Sequence, residues 1–121
     1  MFTVLVMAEN SSVDNVKENA IGLYQIRPIY VEDVNRILEM HDREKRYKHE
    51  DARDMKKAQE MVKIYLTFWG EKYRASTGRL PDASVLGRIH NGGPFGFTKD
   101  ATFEYGKKCA RLYKQWEFEN K

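Results

Sequence analysis

Between Asp51 and Tyr73, apolar side chains recur at steps of three and four residues. The repeating positions are Met55, Ala58, Val62, Tyr65, Leu66 and Trp69. This period places them along one face of an α-helix, so we predict one long helix whose apolar stripe is buried. A buried stripe needs other elements packed against it, which indicates a mainly α domain.

Shorter helices are predicted in the rest of the chain. One runs from about Val31 to Met40 and places Val31, Val34, Ile37 and Leu38 on one face. Another is capped by Asp82 and carries Val85, Leu86 and Ile89, and the last runs from Ala101 to Glu119 with Tyr105, Cys109, Leu112 and Trp116 on one face. Gly78 and the run Asn91-Gly92-Gly93-Pro94 are expected to end the helices that precede them.

The remaining segments are polar, apart from the first. Asn10–Asn19 and the charge-alternating stretch 42–48 predict loops. Phe2–Glu9 has two interpretations, because its Phe, Val and Leu residues suit a short strand and the alternative is the end of a helix. With that segment helical, the pattern predicts about five helices and a cleft built from loops.

Composition limits the number of domains and the partners. At 121 residues the chain has room for one domain, and we predict that residues 1–121 form it, as a monomer. The balance of 21 basic and 18 acidic side chains gives a net charge of +3, which favours encounter with an anionic polymer. Acidic residues interrupt nearly every basic run, so a nucleic-acid partner is not expected.

The N-terminal apolar run is too short to insert into a membrane, and it lacks the features of a leader. No basic residue precedes Phe2, and Glu9 follows the run where a small-residue cleavage site would stand. We therefore expect neither a signal peptide nor membrane insertion, and the compartment stays open. Cys109 is the single cysteine and cannot form an internal disulfide, so packing in a helix is its expected role.

Two short blocks carry residue types that suit a sugar-cleaving site. Residues 20–28 read Ala-Ile-Gly-Leu-Tyr-Gln-Ile-Arg-Pro, residues 89–94 read Ile-His-Asn-Gly-Gly-Pro, and Glu9 precedes both. Breaking a glycosidic bond needs a carboxylic acid that protonates the leaving oxygen, beside amides and bare backbone that hold hydroxyl and N-acetyl groups. Glu9 follows an apolar run, and desolvation favours the neutral form of a carboxyl group. Glu9 is therefore a candidate general acid, and a solvated glutamate at the end of a helix is the alternative.

Four parts of the chain carry a resemblance to a known family: Glu9, the block 20–28, the following Val31-Glu32-Asp33-Val34-Asn35-Arg36, and Asn91-Gly92-Gly93-Pro94. Together they resemble the lytic transglycosylase and goose-type lysozyme family, in particular its small phage and bacterial branch. The similarity extends from about Glu9 to the last helix. It implies a lysozyme-like α fold, a helix ending at Glu9, and cleavage of the β-1,4 bond between N-acetylmuramic acid and N-acetylglucosamine in peptidoglycan. The localisation stays open, and the expected lack of a signal peptide is consistent with a phage-type lysin that is made in the cytoplasm and acts on the cell wall.

The resemblance assigns roles to individual residues. Glu9 is the implied acid, although the interval from Glu9 to Ala20 is shorter than the family usually has, and Glu18 is the alternative acid. Substrate-binding residues are implied at Gly22, Tyr24, Gln25, His90 and Asn91. Tyr24 and His90 depart from the family pattern, so Tyr24 is expected either to line the cleft or to pack, and His90 either to donate a hydrogen bond or to lie at the surface as a cap.

Hydrolysis would also need a second carboxylate, which positions the attacking water. Asp14 and Asp33 are the candidates, and neither lies in a defining motif. With one acid, the expected product is a 1,6-anhydro sugar. A catalytically degenerate relative that only binds peptidoglycan or chito-oligosaccharide is the second interpretation. His41, His49 and His90 lack the spacing of a metal site, so neither a metal nor another cofactor is expected.

Overall fold

Five α-helices and several short turns make up the part of the chain that the structure, a computed structural model, describes, which is residues 1–9 and 14–121. The helices are α1 (Phe2–Glu9), α2 (Pro28–Met40), α3 (Met55–Thr77), α4 (Ala83–Gly92) and α5 (Phe103–Glu119). 3-10 turns lie at His49–Arg53, Gly96–Thr98 and Asp100–Thr102. Helix accounts for 70% of the structure, which confirms the mainly α class.

The chain divides into two compact units. The first, here called the motif unit, comprises Glu9–Tyr65, and the second, the C-terminal unit, comprises Met1–Ala8 and Leu66–Lys121. The first half of α3 belongs to the motif unit and the second half to the C-terminal unit. The prediction of one domain over residues 1–121 stays a prediction.

Residues 2–9 are helical, so the strand interpretation of this segment is wrong. Val4, Leu5 and Ala8 are buried along α1. The carbonyl oxygen of Ala8 accepts a hydrogen bond of 2.8 Å from the ammonium group of Lys108 in α5. A cation at the carbonyl end of a helix is favourable, because the unpaired carbonyl groups there carry partial negative charge.

The ends of α2 and α3 differ from the predicted ends for local reasons. α2 begins at Pro28 rather than near Val31, because proline is pre-organised for the first helical position, where its missing N–H costs nothing. α3 begins at Met55 rather than Asp51, after Asp54 accepts a hydrogen bond from the backbone N–H of Lys57. Gly78 follows α3 with φ of +75°, and its N–H bonds to the carbonyl of Arg74, as predicted for a helix stop.

In the C-terminal unit, the predicted start and stop signals of α4 are confirmed. The Asp82 carboxylate accepts a hydrogen bond of 2.9 Å from the N–H of Val85, and Gly93 follows the helix with φ of +96°. α4 packs against α5 where Gly87 faces Cys109, and a Cβ atom at Gly87 would overlap the buried sulfur. Cys109 is therefore a packing residue, as its helical position predicted.

Trp116, predicted to share one face of α5 with Cys109, is 36% exposed, whereas Cys109 is buried. α5 has seventeen residues whereas α4 has ten, and the buried residues of α5, Gly106 and Cys109, lie in its first half. Trp116 lies in the later part of α5 and stacks on Tyr113 instead, with 5.9 Å between ring centroids.

The core of the motif unit is formed by α2, the first half of α3 and the segment before α2. The apolar face of α2 is buried as predicted, at Val31, Val34, Ile37 and Leu38. The stretch 42–48, predicted to be a solvated loop, is exposed up to Arg46, but Tyr47 is buried. The Asn35 side chain accepts a hydrogen bond from the N–H of Tyr47 and donates one to its carbonyl, each of 2.9 Å, which ties this stretch to α2.

Within residues 1–9 and 14–121, no helix combines the length and the apolar character needed to cross a membrane.

Candidate active site

The block 20–28 forms a closed turn in the motif unit. Ile21 and Ile26 exchange two backbone hydrogen bonds of 3.1 and 3.0 Å, and the N–H of Gln25 bonds to the carbonyl of Gly22. Gly22 and Gln25 have φ of +77° and +50°, so both adopt the left-handed conformation. The Gln25 side chain also donates to the Gly22 carbonyl, over 2.9 Å. Part of this amide, predicted to bind sugar, therefore stabilises its own turn.

Gly22 is required for packing within the motif unit. A Cβ atom at this position would overlap the carbonyl oxygen of Ala52, in the 3-10 turn His49–Arg53. The positive φ adds a second reason, because side chains other than glycine rarely adopt it. The backbone of Gly22 therefore lies against the backbone of Ala52, and the predicted role of Gly22 in binding substrate stays a prediction.

Asp14 anchors the same turn from outside. One carboxylate oxygen accepts a hydrogen bond of 3.1 Å from the N–H of Gly22, and the other lies 2.7 Å from the guanidinium of Arg53. The Gly22 N–H and then Arg53 hold the pKa of Asp14 below its ordinary value. Since both oxygens have partners within the protein, Asp14 is poorly suited to hold a catalytic water.

Tyr24, between Gly22 and Gln25, points into the core. Only 1% of this residue is exposed, and its hydroxyl accepts a hydrogen bond of 3.2 Å from the amide of Gln59 in α3. Burial raises the pKa of Tyr24. Of the two roles considered for Tyr24, this environment favours packing over contact with substrate.

Glu9, the predicted acid, is half-buried at the last position of α1. Within the motif unit its charge acts on Tyr30, a residue of α2 that is 7% exposed. The ring of Tyr30 stacks on Tyr65 of α3, with ring centroids 3.8 Å apart and an angle of 17° between the planes. Asp33, one helical turn after Tyr30, is also buried and pairs with Arg36 at 3.1 Å. We refer to Glu9, Tyr30, Asp33 and Tyr65 as the tyrosine–carboxylate cluster.

Electrostatics in this cluster keep both phenols protonated. Burial raises the pKa of Tyr30 well above its ordinary value, and Tyr65 and the charges of Glu9 and Asp33 raise it further. Burial also raises the pKa of Tyr65, with a contribution from Asp33 and a smaller opposing one from Arg27. A phenol that stays protonated at every physiological pH is a permanent hydrogen-bond donor to a carboxylate.

Glu18, the alternative acid, has a different environment. Glu18 is exposed, and its carboxylate lies 3.7 Å from the guanidinium of Arg27. Glu18 is open to solvent, whereas Glu9 is half-buried and so partly shielded from water. The surroundings therefore favour Glu9 over Glu18 as the acid.

His90 and Asn91 lie in the last turn of α4, in the C-terminal unit. His90 is 5% exposed, so its interpretation as a surface group is wrong. Asn91 is half-buried. Their predicted roles in binding substrate stay predictions.

Among the described residues no group of three or more His, Cys, Asp or Glu side chains is arranged to hold a metal ion. The tyrosines of the tyrosine–carboxylate cluster were missed as site residues by the sequence analysis. Tyr65 was assigned to the core by its period, and Tyr30 lies just before the predicted start of α2. A signal did exist, since Tyr30 precedes Asp33 by three residues and so shares a helix face with it.

Comparison with known proteins found no family model, no curated protein and no solved structure that matches the chain.

Proposed function

We propose that this protein cleaves the β-1,4 bond between N-acetylmuramic acid and N-acetylglucosamine in peptidoglycan, with Glu9 as general acid. The observation that carries the proposal is the position of Glu9, half-buried at the last position of α1, where its charge helps to raise the pKa of buried Tyr30. Partial burial is the condition under which a carboxyl group keeps a proton for donation. The sequence resemblance supplies the substrate class.

In the proposed mechanism, the Glu9 carboxyl group donates its proton to the glycosidic oxygen as the bond to the anomeric carbon breaks. The substrate's N-acetyl group assists at that carbon, and the amide of Gln25 orients the sugar. The C6 hydroxyl of the muramic acid then attacks the anomeric carbon and returns its proton to the Glu9 carboxylate. An intramolecular nucleophile is favoured by its high effective concentration.

The surroundings of the other two carboxylates support this outcome over hydrolysis. Asp14 is engaged by Gly22 and Arg53, and Asp33 is buried and paired with Arg36. Holding and deprotonating a water would require one of them to give up its partners. We therefore expect anhydro-muropeptides as the main product, and reducing-end sugars would mean that a carboxylate does hold water.

The test is digestion of purified cell walls, with mass analysis of the released muropeptides. Glu9→Gln should lower the rate by at least about 10³-fold, because the amide cannot donate a proton in the same way, while the melting temperature stays the same or rises. Glu18→Gln is the matched control, since it makes the same change at an exposed carboxylate. An active Glu9→Gln with an inactive Glu18→Gln would refute the assignment.

A peptidoglycan-binding module without turnover is the second candidate. Gly22 packs against Ala52, and the Gln25 amide closes the turn by bonding to the Gly22 carbonyl. Both motif residues therefore have roles within the fold that do not require catalysis, which favours this candidate. For this candidate, wild-type protein should sediment with purified walls and release no muropeptides after prolonged incubation.

A further inference from the structure

We propose that a row of cations in the C-terminal unit binds a linear, phosphate-bearing polymer of the cell wall, of the teichoic-acid class. The row consists of Arg88 in α4 and Lys107, Arg111 and Lys114 in α5, and we call it the cation row. The choice of a wall polymer rests on the proposed function, but the binding itself requires no cleavage and is tested separately below.

The first argument is positive charge that the protein itself does not balance. Residues 105–116 of α5 contain no acidic side chain. Lys107, Arg111 and Lys114 follow at steps of four and three residues, so they share a helix face, and all three are exposed. Arg111 and Lys114 form no ion pair within the described part of the chain. Lys107 pairs with Glu104 at 3.5 Å, an exposed contact that contributes little.

The second argument is that the other end of the row is held in place. The guanidinium of Arg88 donates hydrogen bonds of 2.9 and 2.8 Å to the Thr102 hydroxyl and the Lys99 carbonyl. Both acceptors are neutral, so the charge of Arg88 is anchored but not cancelled. Arg88 and the ammonium group of Lys107 both lie over the ring of Phe103, 5.7 and 5.2 Å from its centroid. One ring therefore gathers two cations, and a bound anion would relieve their mutual repulsion.

The shape of the row favours a linear polyanion over a membrane surface. At about 1.5 Å per residue, the three cations of α5 extend along about 10 Å of the helix, in a narrow line. A helix that lies in a membrane surface presents a continuous apolar face. On α5 the exposed rings of Phe103 and Phe118 are instead separated by about 22 Å of helix length.

Single-stranded nucleic acid is the less suitable polyanion. Its bases bind by stacking on open aromatic side chains beside a basic groove. The ring of Phe103 is instead engaged by two cations. The stacked pair Tyr113 and Trp116 lies on the face of α5 that carries Cys109, away from the exposed cations. A polymer that is read by its phosphates alone fits this arrangement better.

Binding to soluble poly(glycerol phosphate), measured by calorimetry, tests the proposal without any cleavage. Arg111→Gln combined with Lys114→Gln removes two cations of the row. We expect the affinity to fall about tenfold near 0.1 M salt, with little difference left near 1 M. The slope of log affinity against log salt should flatten by about 0.7 for each cation removed, because each contact releases counterions from the polymer.

Arg43→Gln combined with Lys63→Gln is the matched control. It removes one exposed arginine and one exposed lysine from the motif unit, so the net charge of the chain changes by the same amount. Its affinity should stay within about twofold of the wild type. Equal losses in the two double variants would overturn the proposal, because total charge would then set the binding.

Phe103→Leu tests the gathered cations without any change of charge. We expect the affinity to fall about two- to fivefold, as for the loss of an exposed cation–π contact. Phe118→Leu makes the same change at another exposed ring of α5 and should bind the polymer as the wild type does. Equal binding by Phe103→Leu and wild type would overturn the role of Phe103 in arranging the row.

Further comparisons decide the partner and separate this proposal from the proposed function. Tighter binding to single-stranded DNA, or to vesicles of phosphatidylcholine and phosphatidylglycerol in equal parts, than to poly(glycerol phosphate) would overturn the choice of a wall polymer. Muropeptide release from walls stripped of phosphate polymers, without binding to poly(glycerol phosphate), would overturn this proposal and keep the proposed function. Polymer binding without muropeptide release from any wall would do the reverse.

Discussion

Individual motif residues of this chain stabilise the fold at the same positions where the sequence predicts substrate contacts. Gly22 avoids overlap with the Ala52 carbonyl, and the Gln25 amide bonds to the Gly22 carbonyl. Both residues were predicted to bind substrate from their residue types and from the resemblance. Because Ala52 lies thirty positions from Gly22, no pattern around the turn could reveal that packing reason. A residue type in a motif therefore does not by itself identify the contact that requires it.

Gly22→Ala should destabilise the protein more than Gly78→Ala. The two glycines have nearly equal φ, +77° and +75°, but an added Cβ meets the Ala52 backbone at Gly22 and nothing within 4 Å at Gly78. Gly78→Ala should cost about 1–2 kcal/mol for the left-handed conformation alone, and Gly22→Ala about 1–3 kcal/mol more for the overlap. Guanidinium unfolding followed by circular dichroism measures both. Equal losses would mean that the motif turn relaxes away from Ala52.

Among the elements, helix ends follow local chemistry and were largely predictable. Asp82 and Gly93 begin and end α4 where the sequence placed these signals, and Gly78 ends α3. The starts of α3 and α5 were placed too early, because the 3-10 turns His49–Arg53 and Asp100–Thr102 precede these helices, and the start of α2 at Pro28 was placed too late. Such turns carry residues compatible with either helix type, and neighbouring contacts decide between them.

The turn in residues 20–28 depends on Asp14, and this dependence gives a pH prediction. Because the Gly22 N–H and Arg53 lower the pKa of Asp14 from its ordinary 3.8, the charged form stabilises the fold at pH above that value. The contribution is lost as pH falls through the lowered pKa. Asp14→Asn should therefore unfold at lower denaturant concentration than wild type at pH 7, and the difference should shrink below about pH 4.

Asp42→Asn, at an exposed position after α2, makes the same chemical change and serves as the control. Denaturant unfolding at pH 7 and pH 3 gives the comparison. A gap between Asp14→Asn and wild type that is the same at both pH values would show that the Asp14 charge does not stabilise the turn.

At the scale of the whole molecule, charge is divided unequally between the two units. The C-terminal unit has ten basic and six acidic side chains, a net charge of +4, while the motif unit has eleven and twelve, a net charge of −1. The positive charge of the chain therefore resides in the unit that does not contain Glu9. The exposed face of α5 includes the cations Lys107, Arg111 and Lys114.

We expect binding to an anionic wall polymer to depend on these α5 cations. Neutralising Lys107, Arg111 and Lys114 to Gln should weaken binding to teichoic-acid-bearing walls about tenfold at low salt, with little difference left near 1 M salt, where screening is nearly complete. Sedimentation with purified walls across a salt series measures the effect.

The control neutralises three exposed cations of the motif unit, Arg43, Lys56 and Lys63, which changes the net charge of the chain by the same amount. Binding by this control should fall less than binding by the α5 variant. Equal weakening would show that total charge, rather than its location in the C-terminal unit, sets the affinity.

The amino-acid sequence by itself determined the helical class, the buried face of α2 and the residues that begin and end α4. These features depend on period and on chemistry within a few residues, which a linear pattern records. Of the stripe predicted to be buried along α3, Ala58, Val62, Tyr65 and Leu66 are buried, whereas Met55 is 45% exposed. Tertiary structure alone decided that Tyr30 stacks on Tyr65 near Glu9, that His90 is buried, and that Asp14 anchors the motif turn. The partners in such contacts lie far apart along the chain, and only the packing of helices and turns brings their side chains together.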